Sequence, residues 1–140
     1  MVTVKTVKGA KIANSTGTRK RAVARATARK GSGVVLVNSK PIGAYPEIPR
    51  LAMTEPLLIA GDVARGVDIT VNVRGGGLMG QADAVRQAIA KVLVGFSKPL
   101  RSKFLQYDRN MLVADSRRTE PHKPSRSKQG PRRHKQRSKR

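Results

Sequence analysis

The last 24 residues constrain this chain most, because they cannot build a core of their own. Residues 117–140 contain eleven Lys or Arg, a single acid, Glu120, and no large aliphatic or aromatic side chain. A segment so charged and so poor in apolar groups cannot bury enough surface to offset the entropy lost on ordering. We therefore predict a basic tail that is disordered when free and that orders only against dense negative charge, such as a phosphate backbone.

The rest of the chain divides by charge into a basic arm and an almost neutral body. Residues 1–30 carry nine Lys or Arg and no acid, whereas residues 31–116 carry ten Lys or Arg and seven acids. About 115 residues suffice for one core but not for two. We expect a basic N-terminal arm or edge strand over residues 1–16, a globular domain over 17–116 and a tail over 117–140.

The net charge of +22 indicates a polyanionic partner. Nucleic acid is favoured over membrane, because no stretch reaches 18 apolar residues and the arms lack the apolar face of an interfacial helix. Composition alone leaves a ribosomal role and a DNA-compacting role open. The chain has no cysteine, and Lys5, Lys8 and Lys11 interrupt every short apolar run near the N-terminus, so we expect a cytoplasmic protein without a signal peptide.

Alternation predicts two strands. Ala22, Ala24, Ala26 and Ala28 share one side of an extended segment, with Arg21, Val23, Arg25, Thr27 and Arg29 on the other. The run Val34–Val37 follows the turn signal Gly31–Gly33, so we expect it to form a hairpin with the alanine strand. Residues 38–46 are predicted to be a loop. Pro56 is expected to divide the following helical segment into two short pieces that end at Gly61.

Further along, Val67, Ile69, Val71 and Val73 alternate with polar residues, as in a half-buried strand. A helix is expected from about Gln81 to Phe96, because apolar residues recur there every three or four positions. A last helix, capped by Ser97 and Pro99, is predicted to carry Leu100, Phe104 and Tyr107.

Gly75, Gly77 and Gly80 fit the GxGxxG spacing of dinucleotide-binding turns, but their context does not. The acid expected about 20 residues on, which would hold a ribose, has no candidate between Asp83 and Asp108. Two interpretations remain: the glycines make a sharp strand-to-helix turn, or they let exposed N–H groups approach an RNA phosphate.

No active site is predicted, because the eight acids are scattered and no nucleophile lies beside a base. We expect no enzyme activity, no cofactor and no metal. The two histidines, His122 and His134, lie among cations in the tail and are interpreted as polar groups near phosphate rather than as metal ligands.

Three segments together carry a resemblance to a known family. They are TGTRKRAVARATARKGSGVVLVNSKPI, GGGLMGQADAVRQAIAKVL and DRNMLVADSRRTEP, with a basic tail that ends in SKR. In this order and spacing they resemble the ninth protein of the small ribosomal subunit, in its archaeal and eukaryotic form. The match spans roughly residues 17–120 and the last three residues.

The resemblance implies a fold and a role. The fold is α+β, with a mixed sheet of about four strands, helices packed on one face and a left-handed crossover. The implied role is structural: the domain binds rRNA in the head of the small subunit, among neighbouring head proteins, and the tail reaches toward the decoding centre to contact peptidyl-site tRNA. No small-molecule substrate and no membrane is implied.

The expected contacts follow from this role. By the match of SKR to SKR, tRNA contacts are expected at Ser138, Lys139 and Arg140. Contacts with rRNA are expected at cations of the predicted strands, at the glycine-rich turn and along the tail: Arg19, Lys20, Arg21, Arg25, Arg29, Lys30, Arg74, Gly75, Gly76, Gly77, Gln81, Arg117, Arg118, Lys123, Arg126, Lys128, Arg132, Arg133, Lys135 and Arg137. Many family members carry Phe or Tyr near the C-terminus, whereas this tail has no aromatic residue, so we expect phosphate contacts rather than base stacking.

Overall fold

The computed structural model describes residues 2–7 and 10–117, which form one mixed sheet with helices on one face. The strands are β1 (Thr3–Val7), β2 (Ala10–Arg19), β3 (Ala22–Lys30), β4 (Val35–Val37), β5 (Lys40–Pro41) and β6 (Val67–Arg74). The helices are α1 (Glu47–Ala60), α2 (Asp62–Arg65), α3 (Leu78–Phe96) and α4 (Leu100–Tyr107), with short 3-10 turns at Ile42–Ala44 and Arg109–Met111. Among these described helices, none is long and apolar enough to cross a membrane.

The centre of the sheet is the antiparallel pair β3 and β6, and both strands follow the alternation predicted from the sequence. The four alanines of β3 are at most 2% exposed, and Val67, Ile69, Val71 and Val73 of β6 are at most 4% exposed. The sheet order is β1-β2-β3-β6-β4-β5. The predicted strand conformation of both segments is therefore confirmed.

Helix α3 lies on the small side chains of β2 and β3. Gly17 is buried, and a Cβ added there would lie 2.0 Å from the carbonyl oxygen of Ala84. Buried Ser15 donates a hydrogen bond of 2.7 Å to the carbonyl oxygen of Ala88. The absence of bulk at these positions lets the helix backbone approach the sheet backbone directly. Helix α1 then packs on α3 as an outer layer, with Met53 fully buried.

The sheet has six strands among the described residues, rather than the four that the resemblance implied. Two of the strands come from the N-terminal segment. β1 is an edge strand, as one of the two alternatives for this segment proposed, but β2 is an interior strand paired with β3 on its other side.

The predicted hairpin of the alanine strand with Val34–Val37 is wrong. β6 lies between β3 and β4, and β4 pairs with β6 in parallel. A parallel pair needs a crossover connection, and the segment between Val37 and Val67, which contains α1, supplies it. β4 instead forms its hairpin with β5, within the stretch that was expected to be a loop.

The helical predictions are correct in position but wrong in three details. α1 is a single helix that includes buried Pro56, so the expected division into two pieces does not occur; burial of the proline ring in the core compensates for the missing backbone hydrogen bond. α3 begins three residues before Gln81, at Leu78. At α4 no side-chain cap forms, and Ser97 contributes only its carbonyl oxygen, which accepts from the N–H of Leu100 at 3.2 Å.

We predict that Gly17→Ala destabilises the domain by about 3 kcal/mol, because the new methyl group would overlap backbone atoms of α3 that cannot move independently. The matched control is Gly43→Ala, since nothing lies within 4 Å of a Cβ built at Gly43. Chemical denaturation of both variants measures the difference. Equal free energies of unfolding would contradict the close approach of α3 to β2.

Candidate nucleic-acid interface

The face of the sheet opposite the helices is a mostly polar surface, which we call the open sheet face. Among residues 2–7 and 10–117 no helix covers it. Its side chains lie in cross-strand rows set by the strand register, and they include Asn14 and Thr16 of β2, Val23, Arg25, Thr27 and Arg29 of β3, and Asp68, Thr70, Asn72 and Arg74 of β6. Three of these ten side chains are cations, so the face can bind a polyanion.

The β2–β3 turn extends this cationic surface at one end of the sheet. Lys20 and Arg21 form the turn, both are exposed, and Lys20 has a positive φ of 52°. Lys30 is exposed at the other end of β3. The five residues Lys20, Arg21, Arg25, Arg29 and Lys30 therefore place cations along the whole length of one hairpin strand and its turn.

The glycine-rich turn packs against the β2–β3 turn, and this contact explains two of its glycines. Gly75 and Gly76 have φ values of 77° and 70°, which favour glycine. A Cβ at Gly75 would lie 2.6 Å from the carbonyl oxygen of Arg21. Gln81 donates a hydrogen bond of 3.2 Å to the carbonyl oxygen of Gly75. These contacts support the interpretation as a sharp turn; the approach of a phosphate to its N–H groups, including that of exposed Gly77, stays a prediction.

Most carboxylates with partners lie away from the open sheet face, in ion pairs with arginines of the helix side. Arg86 of α3 contacts Glu55 of α1 and, at 3.0 Å, Asp108 after α4. Burial opposes the charge of Arg86, but the two carboxylates outweigh it and raise the pKa of Arg86 above its usual value. This trio ties α1, α3 and the end of α4 together.

Asp68 is the one acid on the open sheet face among the described residues, and its carboxylate accepts hydrogen bonds from backbone N–H groups. Its Oδ1 accepts backbone hydrogen bonds of 2.8 to 2.9 Å from Ser32, Gly33 and Val34. The bond from Val34 is the largest influence, and together the bonds lower the pKa of Asp68. The carboxylate thereby fixes the loop that leads from β3 to β4.

The remaining cations of this surface have no acidic partner. No described carboxylate forms an ion pair with Lys20, Arg21, Arg25, Arg29, Lys30 or Arg74. Within the described part of the chain, these six predicted RNA-binding cations are free to neutralise phosphates.

Two other predicted RNA-binding cations are engaged within the protein. Arg19 contacts Asp115 and lies 3.4 Å from Asp83 of α3, and Arg117 holds Asp115 through several bonds, the shortest 2.8 Å. The side chain of Arg117 is nevertheless 80% exposed, whereas that of Arg19 is 28% exposed. Arg19 thus places a positive charge between two carboxylates at the edge of the cationic surface.

The base of the tail is fixed to the domain by a buried glutamine that sequence reasoning missed. Gln87, 4% exposed, accepts a hydrogen bond of 2.9 Å from the N–H of Thr18. Its amide group donates to the carbonyl oxygens of Asn110, at 3.3 Å, and Val113, at 2.6 Å. The predicted helix pattern placed Gln87 away from the apolar stripe, with Arg86 and Lys91, so it gave no signal of this burial.

Arg118 and the predicted contacts beyond it lie outside the described residues. These are Lys123, Arg126, Lys128, Arg132, Arg133, Lys135 and Arg137 for rRNA, and Ser138, Lys139 and Arg140 for tRNA. Their roles stay predictions from the sequence. Asn72 and Val23 of the open sheet face were not among the expected contacts, although the alternation of the two strands places them on the same face as Arg74 and Arg25.

Comparison with known proteins identifies the family of this chain. A family model described as Ribosomal protein S9/S16 matches residues 17–140. The chain belongs to this family. The relatives include small ribosomal subunit protein uS9 of Methanococcus maripaludis strain C7, 44% identical over 131 residues, which covers 91% of this chain and 98% of the relative. The protein of the same name from Aeropyrum pernix is 52% identical over 132 residues, covering 81% of this chain and 87% of the relative. The resemblance inferred from the sequence, and its archaeal character, are confirmed.

We predict that Asp68→Asn removes part of the acid sensitivity of this S9/S16-family domain. Because the folded pKa of Asp68 lies below its ordinary value of 3.8, the carboxylate stabilises the fold above that pH. The stabilisation is lost as pH falls from about 3.8 through the lower folded pKa. Urea unfolding at a series of pH values should show a smaller loss of stability in the variant over this window than in the parent protein.

The control is Asp62→Asn, which removes an exposed carboxylate paired with Arg65 on α2. It should leave the loss at low pH unchanged. An Asp68→Asn profile parallel to that of the parent protein would contradict the assigned role of Asp68.

Proposed function

We propose that this protein is a structural constituent of the small ribosomal subunit that binds rRNA through the open sheet face and the β2–β3 turn. The observation that carries the proposal is the separation of charge: cations of this surface have no acidic partner, whereas every described carboxylate of the helix side except Glu47 is held in an ion pair. Such a surface neutralises phosphates without first breaking internal ion pairs. Membership in the S9/S16 family and relatives named as small-subunit proteins support the same role.

The tail completes the proposed function. Its 24 residues could span at most ~80 Å when extended, at about 3.3 Å per residue. A domain of this size has a radius of gyration of only about 13 Å. The tail therefore delivers cations far from the domain, and we assign Ser138, Lys139 and Arg140 to contacts with peptidyl-site tRNA. The protein acts in the cytoplasm, in the ribosome, and not as an enzyme.

The proposal includes two finer points of structure and contact. We infer that the connection from β4 to β6 crosses over in the left-handed sense that the resemblance implied, which departs from the usual right-handed rule. We also assign to the glycine-rich turn, Gly75–Gly77, an approach to an rRNA phosphate, which its exposure in the structure permits.

The proposed RNA surface predicts a specific salt dependence. We expect the double substitution Arg25→Ala with Arg74→Ala to weaken binding to archaeal small-subunit rRNA and to reduce the log–log salt slope by ~0.7 to 0.9 for each lost phosphate contact. Filter binding at several salt concentrations measures this slope. The matched control, Arg50→Ala with Arg101→Ala, removes the same charge from exposed positions on α1 and α4.

Equal changes of the salt slope in the two pairs of variants would contradict an RNA surface on the sheet.

Sedimentation of the purified protein distinguishes the ribosomal role from the DNA-compacting role. A ribosomal protein should sediment with small subunits in a sucrose gradient, whereas failure to do so would overturn the proposal.

We predict that deleting Ser138 to Arg140 leaves incorporation into the small subunit intact and weakens tRNA binding at the peptidyl site. The physical reason is that the deletion removes two cations from the end of the tail and none from the domain. Binding of tRNA to subunits carrying the truncated protein measures the effect. A truncated protein that no longer enters the subunit would contradict the division into an anchoring domain and a reaching tail.

A further inference from the structure

An open cleft of about 770 Å³ lies on the open sheet face, at the end where β3, β4 and β6 come together. Its floor is formed by two cross-strand pairs of β3 and β6, Val23 opposite Arg74 and Arg25 opposite Asn72. Ser39, in the turn after β4, completes the lining. The volume falls within the range of small-molecule sites, about 300 to 1,000 Å³.

Ser39 adopts a backbone conformation that its residue type does not favour. It follows Asn38 in the two-residue turn between β4 and β5, and both have positive φ values, 48° for Asn38 and 65° for Ser39. Such turns strongly prefer glycine at the second position, and a serine there is held in a sparsely populated region. Strain of this kind persists where the surrounding structure imposes it, often at binding sites.

The side chain of Asn38 ties this turn to β6. This side chain accepts a hydrogen bond of 2.8 Å from the N–H of Val73 and donates one of 3.1 Å to its carbonyl oxygen. Asn38 thus continues the ladder between β4 and β6 past Val37, the last residue of β4. The side chain of Asn38 therefore has a structural role, whereas the hydroxyl of Ser39 has no hydrogen-bond partner among the described residues.

Two more groups of the cleft are also unused by the fold. The amide side chain of Asn72 has no hydrogen-bond partner among the described residues and is exposed. Val23 is 41% exposed, between the arginines of the floor. The cleft therefore combines two free cations, an apolar surface, an amide and a hydroxyl, all on rigid strands or a pinned turn.

The groups that line the cleft are of the kinds that bind the parts of a single nucleotide. Arginines bind phosphate, an apolar side chain packs against a base or ribose, and amide and hydroxyl groups pair with base edges. Bases of an A-form helix cannot enter such a cleft, whereas an unpaired nucleotide can. An acidic peptide, in contrast, would be bound by the arginines alone and would not need Val23, Asn72 or the strained Ser39.

We propose that this cleft binds a single unpaired nucleotide of RNA, with Arg25 and Arg74 at its phosphates, Val23 against the base and Asn72 and Ser39 at its polar edge. The proposal rests on the proposed function and adds to it, because it distinguishes recognition of one nucleotide from attraction to phosphates in general. It also explains why a serine occupies a position that favours glycine.

The test uses three single substitutions that leave the charge unchanged: Ser39→Gly, Asn72→Ala and Val23→Thr. Each loses one contact with the nucleotide, so the affinity for archaeal small-subunit rRNA should fall about 2- to 10-fold. The salt slope should stay as in the parent protein, because no phosphate contact is lost. Affinity for a double-stranded RNA, which has no unpaired base, should not change.

Ser39→Gly provides a second readout. Glycine relieves the positive φ, so this variant should unfold at a higher temperature than the parent protein while binding rRNA more weakly. If the variant bound rRNA more weakly because it misfolds, its affinity for rRNA and its unfolding temperature would both fall. Gln106→Ala is the matched control, since Gln106 is an exposed, uncharged residue of α4, outside both the cleft and the open sheet face. It should leave the affinity for rRNA unchanged.

If the three variants bind both rRNA and double-stranded RNA more weakly by the same factor, the nucleotide site is overturned. Unchanged affinity of the variants for both RNAs would overturn it as well. If Arg25→Ala with Arg74→Ala lowers the salt slope while the three substitutions have no effect, the nucleotide site fails and the proposed function stands. If neither set affects RNA binding, the proposed function fails as well.

Discussion

The close packing of α3 on the small residues of β2 and β3 determines which surface of this protein can meet a partner. Gly17 allows the backbone of α3 to approach β2, and the alanines of β3 bury their methyl groups beneath the same helix layer. Since side chains alternate along a strand, every alanine turned toward α3 turns a neighbour the other way. Those neighbours include Arg25 and Arg29. The packing of α3 on the alanines of β3 therefore creates both the core and the cationic face.

The distribution of charge follows the same division. The acids Glu55 and Asp108 are paired with Arg86 on the helix side, and Asp68 accepts hydrogen bonds from backbone N–H groups. Arg19 lies between Asp83 and Asp115 and neutralises two carboxylates that would otherwise repel RNA near the base of the tail. The protein thus keeps its few acids from weakening the surface that we assign to rRNA, while Gln87 holds the segment from which the tail leaves.

The sequence alone was sufficient for strands with regular alternation and for long amphipathic helices. β3, β6 and the last turns of α3 were predicted correctly, because their patterns arise from burial of one face. The order of strands was not predictable in the same way: the glycine turn after β3 suggested a hairpin with β4, but Asp68 of β6 binds the N–H groups of that turn and β6 lies between them. A contact over 36 residues leaves no local signal.

The candidate site shows the same limit. The family resemblance, applied to the cations of the predicted strands and their turn, identified Arg25, Arg74, Lys20 and Arg21 without reference to a structure. Ser39 and Asn72 have no distinguishing charge, and their significance depends on the positive φ of one and on the cross-strand neighbours of the other. Pro56 was misleading because its effect on a helix was judged without the burial that compensates for it.

A density map of an archaeal small subunit that contains this chain tests the central claim most directly. The account predicts rRNA phosphates within hydrogen-bond distance of Arg25 and Arg74, rRNA along the open sheet face, and α1 and α3 on the side away from it. A map with rRNA packed on the helix side and the open sheet face turned to solvent would contradict the account.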